Sequence, residues 1–341
     1  MTESIDREPV FVGLDYHREF VQVCVLDRAG RVLANRRCAN DRAALARAVG
    51  RHGSDVRAAV EACGGAADLA EELVSEEGWS VDLAHPGYVA RIKQSPDKTD
   101  FSDARLLADL ERVGYLPKVW LAPEKVRQLR RLVRYRQQLV AERKNVKLRV
   151  GALLREERVP RPPAGAWTRG WLAWLRGTDA LGEQSRWVVD RQLVRLEQLS
   201  AEILEVERRL GQAVAGDPLV EKLLALKGVG LVTAATIRAE VGRFDRFRTG
   251  KQLARFCGLS PRNASSGQRQ ADAGLIKAGC PGLRAVLIEA AHRLMRYDDR
   301  WKALTSSLVG RGKRKSVAAA AVANRWVRWL HHEMGSVAQA A

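Results

Sequence analysis

Over the first 115 residues the apolar and polar positions change period several times, and each change marks an element. The runs PVFVGLDYH (9–17), FVQVCVLD (20–27) and RVLANRRCAN (31–40) are short and rich in β-branched residues, the pattern of strands. The breaks between them, Arg18-Glu19 and Ala29-Gly30, leave room only for hairpins, so the three strands form an antiparallel meander. A helical period follows, with Asp41 as its N-cap and Gly53 as its stop. The segment 56–65 reads as a buried strand, 66–78 as a helix and 79–86 as a strand closed by a proline. An amphipathic helix with Ser102 at its cap then covers 102–114. Three strands followed by helix, strand, helix, strand and helix predict a mixed sheet with helices on its faces.

Beyond residue 115 the pattern turns helical. The stretch 123–159 reads as one long helix, with Val126, Leu129, Val133, Val140 and Leu148 near heptad spacing and basic residues elsewhere. A Pro-rich break (160–165) leads to a helix around Trp167, Trp171 and Trp174, and a second long helix covers about 185–211. Two long helices joined by an insertion predict an antiparallel coiled-coil arm, suited to dimerisation and to gripping nucleic acid. The third region is mainly helical. Within it, LLALKGVGLVTAATIRAEVG (223–242) has the form of a helix–hairpin–helix, whose turn glycines let backbone N–H groups approach a phosphate. The expected organisation is thus a domain over 1–115, an arm over 116–215 and a C-terminal domain over 216–341.

Charge sharpens this picture. Lys and Arg number 58 against 40 Asp and Glu, a formal net charge of +18. Such an excess repels itself unless a polyanion neutralises part of it, which points to nucleic acid. The candidate contacts are Arg130, Arg134 and Lys144 on the long helix, Lys227, Gly228 and Gly230 at the Gly-Val-Gly turn, and Arg262, Arg269 and Lys277 farther on. Five cysteines (Cys24, Cys38, Cys63, Cys257, Cys280) are scattered without zinc-ligand spacing, which argues against a disulfide framework and fits a reducing cytoplasm. The polar N-terminus is not that of a signal peptide, and no apolar run approaches the ~18 residues of a membrane span. A cytoplasmic protein that associates with the nucleoid when acting, and not with a membrane, is expected.

Four carboxylates carry the candidate chemistry. Asp15 ends the first strand, and Glu61 interrupts a strand of small apolar residues, AAVEACGG. Carboxylates in such places need a compensating cation or hydrogen bonds. Asp100 and Asp103, spaced i, i+3 at a helix start, face the same side. The element order is that of a ribonuclease H-like (RuvC-like) sheet, in which the strands of Asp15 and Glu61 are neighbours and the last helix crosses them. The four side chains then converge on Mg²⁺, a hard ion that takes oxygen ligands, as one or two ions; Mn²⁺ is an accepted substitute.

The same acidic set, joined to Gly258-Leu259-Ser260-Pro261, Ser265-Ser266-Gly267, Gly274-Leu275-Ile276-Lys277-Ala278-Gly279 and Leu283-Arg284 through Ala290-Ala291, resembles the bacterial insertion-sequence transposases of the family numbered one hundred and ten, which includes the Piv-type DNA invertases. Gly279-Cys280-Pro281 departs from that pattern at a helix start, away from the chemistry. The resemblance implies that Asp15, Glu61, Asp100 and Asp103 are DEDD metal ligands. It implies that Ser266, rather than its neighbour Ser265, is a nucleophile forming a phosphoserine with DNA. On the residues alone, Ser265-Ser266-Gly267 reads as a polar turn. The resemblance further implies target and donor DNA as substrates, a noncoding bridge RNA that pairs with both, and dimers that join as tetramers on DNA. Two other readings fit parts of the sequence: a metal nuclease of the Holliday-junction-resolvase kind using water as nucleophile, and a non-catalytic nucleic-acid scaffold.

Overall fold

The meander forms as the pattern predicts: β1 (Val10–Tyr16), β2 (Phe20–Leu26) and β3 (Val32–Ala39) pair antiparallel in sequence order. The computed structural model describes residues 8–93, 99–160, 162, 164–263 and 272–335. The chain divides into two units, Met1–Glu124 and Lys125–Ala341.

In the first unit, β4 (Val56–Glu61) and β5 (Ser80–Ala84) join parallel to β1, and a short β6 (Lys118–Val119) closes the edge. The sheet order is β3-β2-β1-β4-β5-β6, a mixed sheet with helices on both faces. Alternation along the strands divides the core in two. Val12 and Leu14 of β1 and Ala58 and Val60 of β4 pack against α1 (Arg42–Gly50) and α2 (Ala66–Glu77), through Leu45, Val49, Leu69 and Leu73. The opposite face carries Phe11, Cys24, Leu26 and Ala59, covered by α4 (Asp100–Arg112) with Ala104, Ala108, Leu107 and Leu110.

α4 approaches β1 closely. A Cβ on Gly13 would lie 1.8 Å from the Ala104 carbonyl oxygen and 2.6 Å from the Ala108 nitrogen. Alanines on the helix and glycine on the strand let the two backbones meet almost directly.

The sequence pattern misplaces some boundaries. The last helix begins at Asp100, not Ser102: Thr99 is its N-cap, and Ser102, at the third helical position, returns the bond in a reciprocal capping box. Pro86, read as a strand stop, is also the first residue of α3 (Pro86–Ile92), because its fixed φ suits a first helical turn. The two-residue β6 is too short to leave a period.

The second unit holds α5 (Glu124–Glu156), α6 (Arg169–Gly177) and α7 (Glu183–Ala213). α5 and α7 run antiparallel, since side-chain contacts pair Arg136 with Glu207, Glu142 with Arg195 and Glu157 with Ser185. Val126, Leu129 and Val133 are buried as the heptad pattern requires. Leu148 is 57% exposed, and Val146 and Val150 turn inward instead. Counting by sevens from Val126 and Leu129 reaches position 147 and Val150, so Leu148 stands one residue off the repeat and on another face.

The remaining elements are α8 (Pro218–Leu224), α9 (Leu231–Val241), α10 (Gly250–Phe256), the hairpin of β7 (Pro261–Asn263) and β8 (Asp272–Leu275), α11 (Pro281–Tyr297), α12 (Asp299–Gly310) and α13 (Lys315–Gly335). They share one core with α5 and α7, with Trp326 and Phe244 fully buried in it. No helix among the described residues is long and apolar enough to cross a membrane.

Gly13→Ala should force α4 off the sheet. We expect a loss of about 1–3 kcal/mol, the usual range for overpacking a core, read as a lower denaturation midpoint of the full chain.

Candidate functional site

Strand register brings the first two carboxylates together. β1 and β4 are parallel with Leu14 opposite Val60, so the next step places Asp15 beside Glu61 at the strands' C-terminal ends. Both residues share strand parity with Gly13 and Ala59, which puts them on the face that α4 covers. Asp100 and Asp103 occupy the first turn of α4, where the positive end of the helix dipole favours negative charge.

A polar chain orients that first turn. Gln22, buried on β2, donates to the Asn35 side chain at 2.6 Å, and Asn35 donates to the Phe101 backbone carbonyl at 3.0 Å. The helix start is thereby tied to the strands beside β1.

Asp15, His17 and Asp100 each offer a ligand atom, and these atoms lie within 4.8 Å of one another. His17 Nε2 is 3.1 Å from Asp15 Oδ2 and 3.5 Å from Asp100 Oδ1. Arg37 donates to Asp100 Oδ2 at 3.0 Å, and Lys93, just after α3, pairs with Asp103. Burial raises the Asp15 pKa above the usual carboxylate value; His17 opposes this, and the negative charges of Asp103 and Asp100 add to it. A carboxylate destabilised by desolvation and by like charges calls for a cation.

The donor set fits a hard divalent ion. It joins the carboxylate oxygens of Asp15 and Asp100 to the His17 ring nitrogen, with Asp15 22% and Asp100 32% exposed at the side chain, and neither Glu61 nor Asp103 belongs to this group. Arg37 and Lys93 set positive charge against Asp100 and Asp103, and His17 sets a ring nitrogen against Asp15 and Asp100. Sequence reading overlooked all three. For His17 the signal was present, since it stands two residues after Asp15 and keeps the strand's parity. Arg37 and Lys93 carry no such signal, being 63 and 10 residues from the carboxylates they meet.

The serine motif belongs to the second unit by sequence. Ser265, Ser266, Gly267 and Arg269 fall outside the described residues, in the connection between β7 and β8. The foot of that hairpin is closely built. Ile276 donates its backbone N–H to the Ser260 carbonyl at 2.9 Å, and the Asn324 side chain donates to the Leu259 carbonyl at 3.1 Å. Gly258 and Gly279 both hold positive φ, and a Cβ on either would strike backbone: the Ala278 carbonyl at 2.2 Å for Gly258, the Phe256 carbonyl at 2.1 Å for Gly279.

The basic candidates divide by environment. Arg134 makes a two-pronged contact with the buried Glu240, at 2.9 and 3.1 Å, and Arg130 donates to the Ala239 carbonyl at 3.0 Å. Both guanidinium groups thus bond within the second unit. Lys144, Lys227, Arg262 and Lys277 are exposed, Lys277 with a positive φ of 54°. Gly228 (φ 78°) and the exposed Gly230 lie in the turn between α8 and α9.

Comparison with known proteins bears on what this arrangement does. A transposase family model of the DEDD, IS110 type matches residues 12–158, and a second, described as Transposase IS116/IS110/IS902 family, matches residues 220–306. A "Probable family 20 transposase" of Pseudomonas aeruginosa is 31% identical over 332 residues, covering 94% of this chain and 95% of the relative. The transposase for insertion sequence element IS1111A of Coxiella burnetii is 26% identical, covering 93% of this chain and 88% of its own length. The transposase for insertion sequence element IS1328 of Yersinia enterocolitica is 28% identical, with 82% and 84% covered.

Manganese titration followed by electron paramagnetic resonance tests the site without reference to activity. Asp15→Asn and Asp100→Asn should weaken Mn²⁺ binding by about tenfold or more, whereas Arg37→Gln, which removes a competing cation, should strengthen it. Unchanged affinity in both aspartate variants would remove the metal assignment.

Proposed function

The chain belongs to the IS116/IS110/IS902 family of transposases, and from that premise we propose that it cuts and rejoins DNA by a metal-assisted serine recombination. Asp15, Glu61, Asp100 and Asp103 hold one or two Mg²⁺ ions, for which Mn²⁺ substitutes, and Ser266 is the nucleophile. The observation that carries the reading is the convergence of Asp15, His17 and Asp100 at the end of β1, with Glu61 next in register.

Bound there, the metal supplies Lewis-acid activation and offsets the charge that builds on the phosphate. The chain's own residues do the rest. His17 orients Asp15 through its Nε2 contact, and the Gln22–Asn35 bridge holds the α4 turn that presents Asp100 and Asp103. The Ser266 Oγ attacks phosphorus, and its proton leaves to a base. A P–O bond to serine forms while a P–O bond of the DNA strand breaks, and the leaving oxygen takes a proton. Attack on the phosphoserine by the hydroxyl of the exchanged strand reverses these steps and frees the serine.

The remaining parts of the proposal follow from family membership and charge. The chain works as a catalytic part (1–115), a coiled-coil arm (116–215) that pairs protomers, and a C-terminal part (216–341) whose helix–hairpin–helix at Lys227, Gly228 and Gly230 meets a phosphate. Arg262, Arg269 and Lys277 neutralise the phosphate near Ser266, and Lys144 lines the nucleic-acid path. Arg130 and Arg134 remain candidate contacts beside their bonds to Ala239 and Glu240. A noncoding bridge RNA selects target and donor DNA by base pairing, and dimers assemble as tetramers on DNA. The net charge of +18 supports binding of both polyanions.

One substitution separates this mechanism from a resolvase-like nuclease with the same carboxylates. Ser266→Ala should abolish recombination and the covalent protein–DNA adduct seen after denaturing electrophoresis, while Ser265→Ala retains both. Continued cutting by Ser266→Ala would identify water as the nucleophile, and retained function in Asp15→Asn would reduce the protein to a scaffold.

A further inference from the structure

The end of α5, the connection after it and α6 enclose a cavity of ~710 Å³, within the range of about 300–1,000 Å³ common for small-molecule sites. Its lining combines three tryptophans with three cations: Trp167, Trp171 and Trp174, with Lys147, Arg155 and Arg158. Trp171 is 7% exposed and forms the floor, packed in a local core with Leu175 and Val189. Trp167 and Trp174 are half-buried and stand at its sides. Ring centroids lie 4.5 Å apart for Trp167 and Trp171, and 5.9 Å apart for Trp171 and Trp174, in tilted contact.

Simple core packing does not account for this lining. Lys147 places its Nζ 5.2 Å from the centre of the Trp167 ring, a cation–π contact, and burial pushes its pKa below the ordinary lysine value. Arg155 and Arg158 are exposed at the rim, and among the described residues no carboxylate pairs with either. The backbone is also held against its preference. Arg158 and Trp167 adopt φ of 53° and 68°, the left-handed region that side chains other than glycine and asparagine avoid. Strain of that kind persists where surrounding structure enforces it, and it concentrates at ligand sites.

Aromatic faces beside unpaired guanidinium groups match one ligand chemistry: a flat, π-bearing ring covalently next to a phosphate. A purely apolar ligand leaves the cations unexplained, and a free phosphate leaves the tryptophans unexplained. In a duplex each base is covered above and below by its neighbours, so only an unpaired base presents a free face. We propose that this cavity binds an unpaired nucleobase of single-stranded or looped nucleic acid. The ring stacks on Trp167 and Trp174 over the Trp171 floor, and the flanking phosphates meet Arg155 and Arg158. The site is remote in sequence from the carboxylates and the serine, and the proposal does not depend on their chemistry.

Fluorescence anisotropy on the full-length protein at fixed ionic strength tests it. The probes are a labelled oligodeoxythymidine, a labelled oligouridine and an abasic oligomer of the same length and charge. Trp167→Leu should weaken binding of the base-bearing probes by about 5- to 150-fold and change the abasic probe by less than about twofold, with Trp167→Phe restoring most of the loss. The tighter of the two base-bearing probes identifies DNA or RNA as the preferred strand. The unaltered protein gives an independent readout, since irradiation with a 5-bromouracil-substituted oligomer should crosslink Trp167 or Trp174. Equal losses on base-bearing and abasic probes, or crosslinks confined to other residues, overturn the proposal. A change of oligomeric state in Trp167→Leu with unchanged oligonucleotide affinity overturns it as well, and assigns the cavity to a side chain of a second copy.

Discussion

The acidic site depends on the closeness of α4 to β1. Gly13 leaves no side chain between strand and helix, and Ala104 and Ala108 leave almost none on the other side. The first turn of α4 therefore lies against the end of the strand, where Asp15 stands two residues beyond Gly13 on the same face. A larger side chain at any of these three positions would lift the helix and separate Asp100 and Asp103 from Asp15. The Gln22–Asn35–Phe101 bridge then sets the position of the helix start along the strand.

Collecting like charges in this way is costly, and the fold shows how the cost is offset. Asp15 is half-buried beside two other carboxylates, so its ionised form is disfavoured. Arg37 and Lys93, from different parts of the chain, bring positive charge to Asp100 and Asp103, and His17 sets a ring nitrogen against Asp15 and Asp100. The N-terminal end of α4 adds its dipole. These contacts are reversible ionic ones, and a divalent ion competes for the same lone pairs. A site so arranged is stable as a fold and still able to exchange a protein cation for a metal.

In the second unit the corresponding constraint is at the foot of the β7–β8 hairpin. Gly258 and Gly279 allow backbone to meet backbone there. Around it, Arg246 is half-buried between Phe247 and Phe256, at 4.3 and 4.6 Å from the ring centres, with its pKa lowered to about 10 by desolvation. Arginine in this protein thus has two uses. Arg134 and Arg246 bond within the unit, while Arg155 and Arg158 remain exposed beside aromatic rings.

Much of the first unit was legible in the sequence because strand and helix periods are local properties. The meander and the alternation of strands and helices through β5 follow from spacing along the chain, whereas α3 and β6 do not. Sequence also determined the basic character of the protein and the serine motif, since charge and motif are matters of composition and order. Tertiary structure decided the rest, for one physical reason: contacts between residues distant in the chain leave no trace in a local period. Arg37 and Lys93 became partners of the carboxylates only when β3 and the end of α3 met the first turn of α4, and His17, local to Asp15, reached Asp100 in the same way. The three tryptophans read as a helical stripe in the sequence. Only the folding of α6 back onto the end of α5 set them around a cavity with Lys147.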